Sequence, residues 1–289
     1  MAGTWNHVRA LKHIDLRMDD VRDVTVKDYA RDMSLESIPT KVAYRIDCAH
    51  LYAEIKNLNE MLESTQAEGV DCHKRTLRFL DQFYRTAGRV LNKVDARRVD
   101  FHSQRLHAIF AKPYNGQDDA DVARIQRSVA SAQLLIDVLA EVQDDDPVLP
   151  AAKVRIGIDA GRSLAVNNGR HGYREPLFLG NPANQAAKLA SNNRSEGIYL
   201  SNEARLAIGL AEQASPQKVP LTHDEIKSCQ EAANLGVTVD EIVEGWRDDM
   251  ARNPIADYKF SRQTPPLSNM DITANARKLQ APGNGLLVR

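Results

Sequence analysis

The stretch L-F-L-G-N-P-A-N-Q-A-A-K-L-A-S-N-N, residues 177–193, reads as a short apolar strand, a glycine turn and a helix. Pro182 falls near the first helical turn, where a missing N–H is harmless. Asn184 and Lys188 stand at i and i+4, so they project from one helical face, one turn apart. An amide and a cation placed like this can grip a sugar and a phosphate; a solvated helix face is the plainer reading of the same spacing. Upstream, K-V-R-I-G-I-D-A-G (153–161) is a β-branched strand closed by Gly161, and the turn-rich 167–176 separates it from 177–180. Downstream, E-G-I-Y-L-S (196–201) is another strand and 202–211 another helix.

Working back toward the start, K-V-A-Y-R-I-D (41–47) alternates as a strand that ends in Asp47. The next segment, 49–63, places Leu51, Ile55, Leu58 and Leu62 at helical spacing, which predicts a helix directly after the strand. A second helix is expected over about 74–92. Residues 97–101 and 105–110 read as the two strands of a hairpin turning at His102–Gln104, with Asp100, His102 and Gln104 on one face. On that reading His102 and His107 have opposite strand parity and cannot pair on one face without a bulge. The longest helical pattern covers 118–142. From about 212 the composition shifts to two short helical patterns, 222–234 and 238–252, followed by a Pro-, Asn- and Gly-rich tail over 254–289. The expected organisation is an N-terminal arm (1–40), a main α/β domain (41–211) and a helical C-terminal extension with its tail (212–289). The main domain is of the α+β kind, with a mixed, hairpin-containing sheet flanked by helices.

Composition narrows the function. Of the 289 residues 27% are charged, and 38 Lys plus Arg against 39 Asp plus Glu leave a formal charge of -1. No bulk electrostatic footprint for nucleic acid or an anionic membrane follows. The three cysteines, Cys48, Cys72 and Cys229, form no C-x-x-C pair, so neither a disulfide framework nor a thiolate zinc site is expected. The first residues lack the apolar core of a secretory signal. The most apolar segment, 129–142, carries Asp137 and Glu141 at helical spacing and reads as an amphipathic helix. The expectation is a soluble, cytoplasmic protein with neither membrane nor nucleic-acid partners.

The chemistry is expected where Asp47 ends its strand beside the N–H groups of Cys48, Ala49, His50 and Leu51 at the start of the next helix. That arrangement suits a divalent metal carrying phosphates, although an Asp before a helix is most often an N-cap. Other motifs fall short. Asp71-Cys72-His73 lacks the further ligands of a metal phosphohydrolase, and 118–124 lacks the glycine and terminal Glu of a calcium loop. Ser163 and Ser201 have no G-x-S-x-G context.

R-I-G-I-D-A-G (155–161), L-G-N-P-A-N-Q-A-A-K-L (179–189) and E-G-I-Y-L-S-N-E-A-R (196–205) together resemble the catalytic domain of class III nucleotidyl cyclases, over roughly 40–205. The resemblance implies a homodimer whose subunits meet head to tail and share composite active sites. It implies that Asp47 binds Mg²⁺ or Mn²⁺, that Asn184 orients the ribose, and that Lys188 stands where the family usually has Arg. The family's second metal Asp falls on Gln104, and its base-reading positions fall on Asp100 and Asn181. Asp100 is therefore either a second metal ligand or a base reader. The pair Asp100/Asn181 disfavours ATP. D-F-H (100–102) and R-L-H-A (105–108) are similar to the pyrimidine cyclases of bacterial antiphage Pycsar systems. The implied reaction converts UTP, or else CTP, to a 3′,5′-cyclic nucleotide that a separate effector protein reads. The departures at Gln104 and Lys188 keep a second expectation open, a catalytically silent, nucleotide-binding regulatory dimer.

Overall fold

The computed structural model describes residues 6–22, 24–35, 37–39, 41–65, 70–114, 119–145, 150–168, 175–192 and 195–252. In chain order the elements are α1 (His7–Arg22), β1 (Thr25–Asp28), β2 (Val42–Ile55), α2 (Leu58–Thr65), α3 (Val70–Lys93), β3 (Arg97–His102) and β4 (Arg105–Phe110). There follow α4 (Ala120–Asp145), β5 (Val154–Asn168), β6 (Glu175–Leu179), α5 (Asn181–Ser191), β7 (Gly197–Leu200), α6 (Asn202–Ala207), α7 (His223–Ala233) and α8 (Val239–Arg252). The expected tail, 254–289, lies outside the described residues.

One sheet organises the fold. Its order is β3-β4-β2-β5-β6, with antiparallel neighbours throughout. Two short strands add parallel pairings, β1 to the start of β2 and β7 to the start of β5. The sheet curls far enough for β3 and β6, its two ends, to line a common cavity. This is the mixed, helix-flanked sheet expected from the sequence.

Of the helix expected over 49–63 only the part from Leu58 onward is helical. β2 runs on to Ile55, and α2 begins only at Leu58. The reason is burial on both faces. Ala49, Leu51, Ala53 and Ile55 enter the larger core beneath α3 and α4, while Tyr44, Ile46 and Cys48 enter a smaller core on the opposite face. A strand covered on both sides carries no simple alternation to read. β5 also outruns its expected end. It passes through Gly161, whose φ of 148° only glycine adopts easily, and continues to Asn168.

Helices hold the two faces differently. Phe79, Phe83 and Ala87 of α3 and Val129, Leu135, Val138 and Leu139 of α4 are buried against one face. Full burial of each large side chain there is worth about 1.5–3 kcal/mol. Cys229 of α7 and Ile242, Val243 and Trp246 of α8 join the same cluster, with α7 opened by a Thr222–Glu225 capping box. Among the described residues no helix is long and apolar enough to cross a membrane.

The other face receives α5. Gly157 makes that seat possible, because a Cβ there would stand 2.6 Å from the Ala190 nitrogen and 2.7 Å from Leu189 Cβ. Next to it the buried Arg155 spreads its guanidinium over Tyr199 at 3.5 Å. Its nitrogens donate to the carbonyls of Leu189 (2.6 Å), Ser195 (3.1 Å) and Gln217 (2.6 Å), and to Ser195 Oγ (2.7 Å). One side chain thus ties the last turn of α5 to two later loops, through charge-assisted bonds.

Candidate active site

Strand register builds two polar rows on the sheet face that α5 partly covers. Tyr52 of β2 lies opposite His107 of β4, which lies opposite Asp100 of β3. One step along, Glu54 lies opposite Arg105, which lies opposite His102. Directly opposed residues of an antiparallel pair share a face. His102 and His107 therefore share one, contrary to the parity expected from the sequence. The turn is two residues long, Ser103–Gln104, with Ser103 at φ 55°, and residues facing each other across such a turn differ by an odd number. A bulge at Val99 shifts the register between Arg98 and Asp100. Tyr52, Val99, Asp100, His102, Arg105 and His107 then line a cavity of about 190 Å³, closed from the far end of the sheet by Pro176 and Leu177.

The end of β2 is clasped by charge. Glu54 accepts from Lys56 Nζ at 2.9 Å through one oxygen and from Arg105 Nε at 2.9 Å through the other. Lys56 also donates to the Ser191 carbonyl at 3.3 Å, and Arg105 to Ser191 Oγ at 2.9 Å. A cation on the last carbonyls of α5 complements the negative end of that helix. Glu54 and Lys56 are each only 9% exposed, so their pair is shielded from solvent screening, whereas Arg105 is 37% exposed.

Beneath the rows lies a neutral histidine pair. His50 Nδ1 is 3.1 Å from His107 Nε2, and Tyr52 stacks on His107 with centroids 4.1 Å apart. Burial pushes His50 down to about 4; burial and the neighbouring imidazole push His107 down to about 3. Burial raises Tyr52 and, further along the face, lifts Asp159 to about 6, against hydrogen bonds from Ser201 and the Ala160 N–H.

The residues singled out in the sequence are distributed otherwise than expected. Cys48, Ala49, His50 and Leu51 are strand residues within the ladder, not the free N–H groups of a helix start. Asp47 is on the opposite face from Tyr52, because odd and even positions of β2 diverge, and five residues away along the strand, about 16 Å. It pairs with Arg162 at 3.1 Å. Asp47 and Asp100 cannot share a cation, which corrects the expected metal pair. Gln104 lies in the hairpin turn, where its carbonyl accepts from the Ile55 N–H at 3.1 Å. Asn181 opens α5 and is exposed. Asn184 and Lys188 are both exposed on α5 and, among the described residues, neither side chain has a hydrogen-bond partner. Sequence reasoning passed over Tyr52 and Glu54 and gave Arg105 and His107 no role in a site. The signal that finds them is a period of two carried through to Ile55.

Over 272 residues the chain is 67% identical to a uridylate cyclase of Pseudomonas aeruginosa, covering 94% of this chain and 53% of that protein. A solved structure from Pseudomonas aeruginosa, described as a class III adenylyl cyclase-like ATP-binding protein, superposes with a TM-score of 0.85 at 67% identity. It covers 95% of this chain and 58% of that one. Over nearly its whole length the chain is similar to class III nucleotidyl cyclases. A uridylate cyclase of a Rhizobium species is 30% identical over 252 residues, 81% of this chain and 47% of that protein. The chain thus spans about half the length of the curated relatives it matches. No protein-family model matches it.

Class III cyclases work with a divalent metal. Among the described residues no group of three or more His, Cys, Asp or Glu side chains converges, so a cation would have to draw on one or two carboxylates and on the substrate's phosphates. Asp47 and Asp100 are on opposite faces, and both Glu54 oxygens are engaged by cations.

Proposed function

We propose that this chain carries the catalytic domain of a pyrimidine nucleotide cyclase that converts UTP, or secondarily CTP, to the 3′,5′-cyclic nucleotide and pyrophosphate. The observation that carries this reading is the 67% identity to a uridylate cyclase across nearly the whole chain. The polar cavity at Tyr52, Asp100, His102, Arg105 and His107 supports it as a pocket for one pyrimidine ring. In the reaction the ribose 3′-hydroxyl attacks the α-phosphate in line with the departing pyrophosphate, so catalysis consists of positioning and charge stabilisation. Asn184 orients the ribose, and Lys188 meets the charge that develops on the α-phosphate as a point cation, without the bidentate fork of Arg.

Asn184 and Lys188 face outward on α5 and find no partner within the described residues. This supports a homodimer in which each α5 serves the site of the other subunit. Mn²⁺ or Mg²⁺, held by Asp47 or by Asp100 together with the triphosphate, would supply neutralisation of the phosphate charge. The domain boundaries at 41 and 212, a cytoplasmic location, a role in antiphage defence and a separate effector for the cyclic product belong to the same proposal.

A second reading, a nucleotide-binding regulator without turnover, is favoured by the occupied carboxylate of Glu54 and the separation of Asp47 from Asp100. Incubating the protein with Mn²⁺ and each of ATP, GTP, CTP and UTP, with products identified by mass spectrometry, separates the two. Cyclic UMP as the main product is expected. Cyclic AMP or GMP alone would overturn the substrate, and bound nucleotide without product would favour the regulator.

A further inference from the structure

Arg162 carries its charge among three carboxylates, Asp47, Asp28 and Asp121. Each of the three has an arginine, and the pairs are built unequally. Asp28 is gripped by Arg45 through Nε at 2.9 Å and Nη2 at 3.3 Å. Asp121, in the first turn of α4, accepts from Arg124 Nη2 at 2.6 Å. Asp47 accepts from Arg162 Nε at 3.1 Å, across the ladder from the residue directly opposite it on β5. Exposure sets this third pair apart. The side chains of Asp28 and Asp121 are 80% and 57% exposed, and that of Asp47 is 18% exposed. Their arginines run the other way, with Arg45 at 46%, Arg124 at 2% and Arg162 at 69%.

Asp47 is thus a fixed anion with a loose cation. Its backbone is locked in the β2–β5 ladder, and its carboxylate, largely out of water, needs positive charge beside it. Arg162 supplies that charge at a distance beyond the roughly 2.7–2.9 Å of a strong charge-assisted bond. It does so from a side chain mostly in solvent, where an ion pair is held weakly. A divalent cation has twice the charge, and one or two carboxylates suffice for it when phosphates complete its shell. The guanidinium and such a cation compete for the same oxygens. Asp28 and Asp121 already have arginines of their own, so a displaced Arg162 finds no vacant carboxylate there. Its planar fork suits phosphate oxygens instead.

We propose that Arg162 is a resident counter-ion for Asp47, which yields the carboxylate to the divalent cation of the substrate complex and turns to the triphosphate. The inference rests on the reading of Asp47, in preference to the exposed Asp100, as the carboxylate that holds the cation. Arg162 then has two effects of opposite sign. It opposes a bare cation at Asp47 and favours a cation that arrives with its nucleotide. Between turnovers Asp47 is neutralised by its own chain, and the site takes up little metal until the triphosphate gives Arg162 another partner.

Two titrations test it, neither of which needs turnover. In the first, Mn²⁺ alone is followed by the relaxation enhancement of water protons. Arg162→Gln changes a side chain that is mostly in solvent, so the fold is kept. It is expected to bind Mn²⁺ about fivefold more tightly than wild type, the worth of one exposed ion pair no longer in competition. The double variant Asp47→Asn/Arg162→Gln is expected to lose that gain, which separates the release of Asp47 from a general rise in negative charge around Asp28 and Asp121. In the second, the non-cyclising analogue α,β-methylene-UTP is titrated calorimetrically at saturating Mn²⁺. Here Arg162→Gln is expected to bind about tenfold more weakly, the loss of one charged hydrogen bond to phosphate. An ion pair with a purely structural role does not move the two titrations in opposite directions. Mn²⁺ binding that is unchanged, weaker or undetectable in Arg162→Gln would overturn the proposal. So would a gain that persists in the double variant, or analogue binding by Arg162→Gln within twofold of wild type. Asp47→Asn alone that takes up Mn²⁺ with the analogue as wild type does would instead overturn the reading of Asp47 beneath it.

Discussion

Tyr52 and His107 lie face to face across β2 and β4, their ring planes 11° apart and their centroids separated by 4.1 Å. Aromatic stacking of this kind is worth about 0.5–1.5 kcal/mol beyond the area it buries. Tyr52 can be no freer than the ring beneath it, and His107 is in turn fixed by His50. The wall of the cavity is thus set by residues that a bound ligand never touches.

Tyr52→Ala removes both the stack and the surface that a pyrimidine would meet. The expected result is roughly tenfold weaker binding of UTP, while Tyr52→Phe stays within about twofold of wild type. Calorimetric titration of the two variants decides it. Equal losses in both would assign the role to the Tyr52 hydroxyl instead of its ring.

Stability should fall on acidification below neutrality, and the sign can be worked from three buried groups. Unfolded histidines titrate near 6.5, whereas His50 and His107 hold out to about 4 and about 3. Between those values the unfolded chain binds two protons that the native state refuses, so stability is lost as the pH falls. Asp159 acts in the opposite sense: protonated near 6 when folded and 3.8 when not, it returns stability over the upper part of that range. The net is one proton, a slope of about 1.4 kcal/mol per pH unit between roughly pH 6 and pH 4. Urea melts across that window should show it, with a steeper slope for Asp159→Asn.

Reading the fold from sequence worked best where one period was possible. Asn184 and Lys188 are four apart on a segment too rich in alanine to be a strand, and their shared face follows from that. Leu51 and Ile55 are also four apart, yet four is both close to a helical turn and an even strand step, so their spacing could not tell α from β. Leu58 and Leu62, in the real helix α2, extended the false pattern backward. The hairpin failed for a smaller reason. Moving His102 from the turn into β3 reverses its relation to His107, and nothing local marks a two-residue turn at Ser103–Gln104. The bulge at Val99 depends on pairing with β4 and has no signature in its own residues.

Glu54 stands between two cations in a nearly dry setting. Glu54→Ala leaves Lys56 buried without its partner and should destabilise the fold by about 3–5 kcal/mol. Glu54→Gln keeps the acceptor and one contact and should cost less. Denaturant melts of the two variants test the order. If both match wild type, the clasp contributes nothing to stability.

Shared sites predict complementation. Asp100→Ala and Lys188→Ala proteins, each inactive alone in UTP cyclisation, should recover activity when co-refolded, because a mixed dimer contains one site with both residues intact. Coupled detection of pyrophosphate reads the outcome. No recovery, despite mixed dimers demonstrated by native mass spectrometry, would place Asp100 and Lys188 in one subunit's site.

Arg105 belongs to two structures at once: it lines the cavity, and it holds Glu54 and Ser191. A guanidinium has a fixed reach. Any phosphate or carbonyl that draws it inward must take it from the final turn of α5, the helix whose outer face carries Asn184 and Lys188. Filling the cavity therefore slackens the mooring of that helix, and emptying it draws the mooring tight.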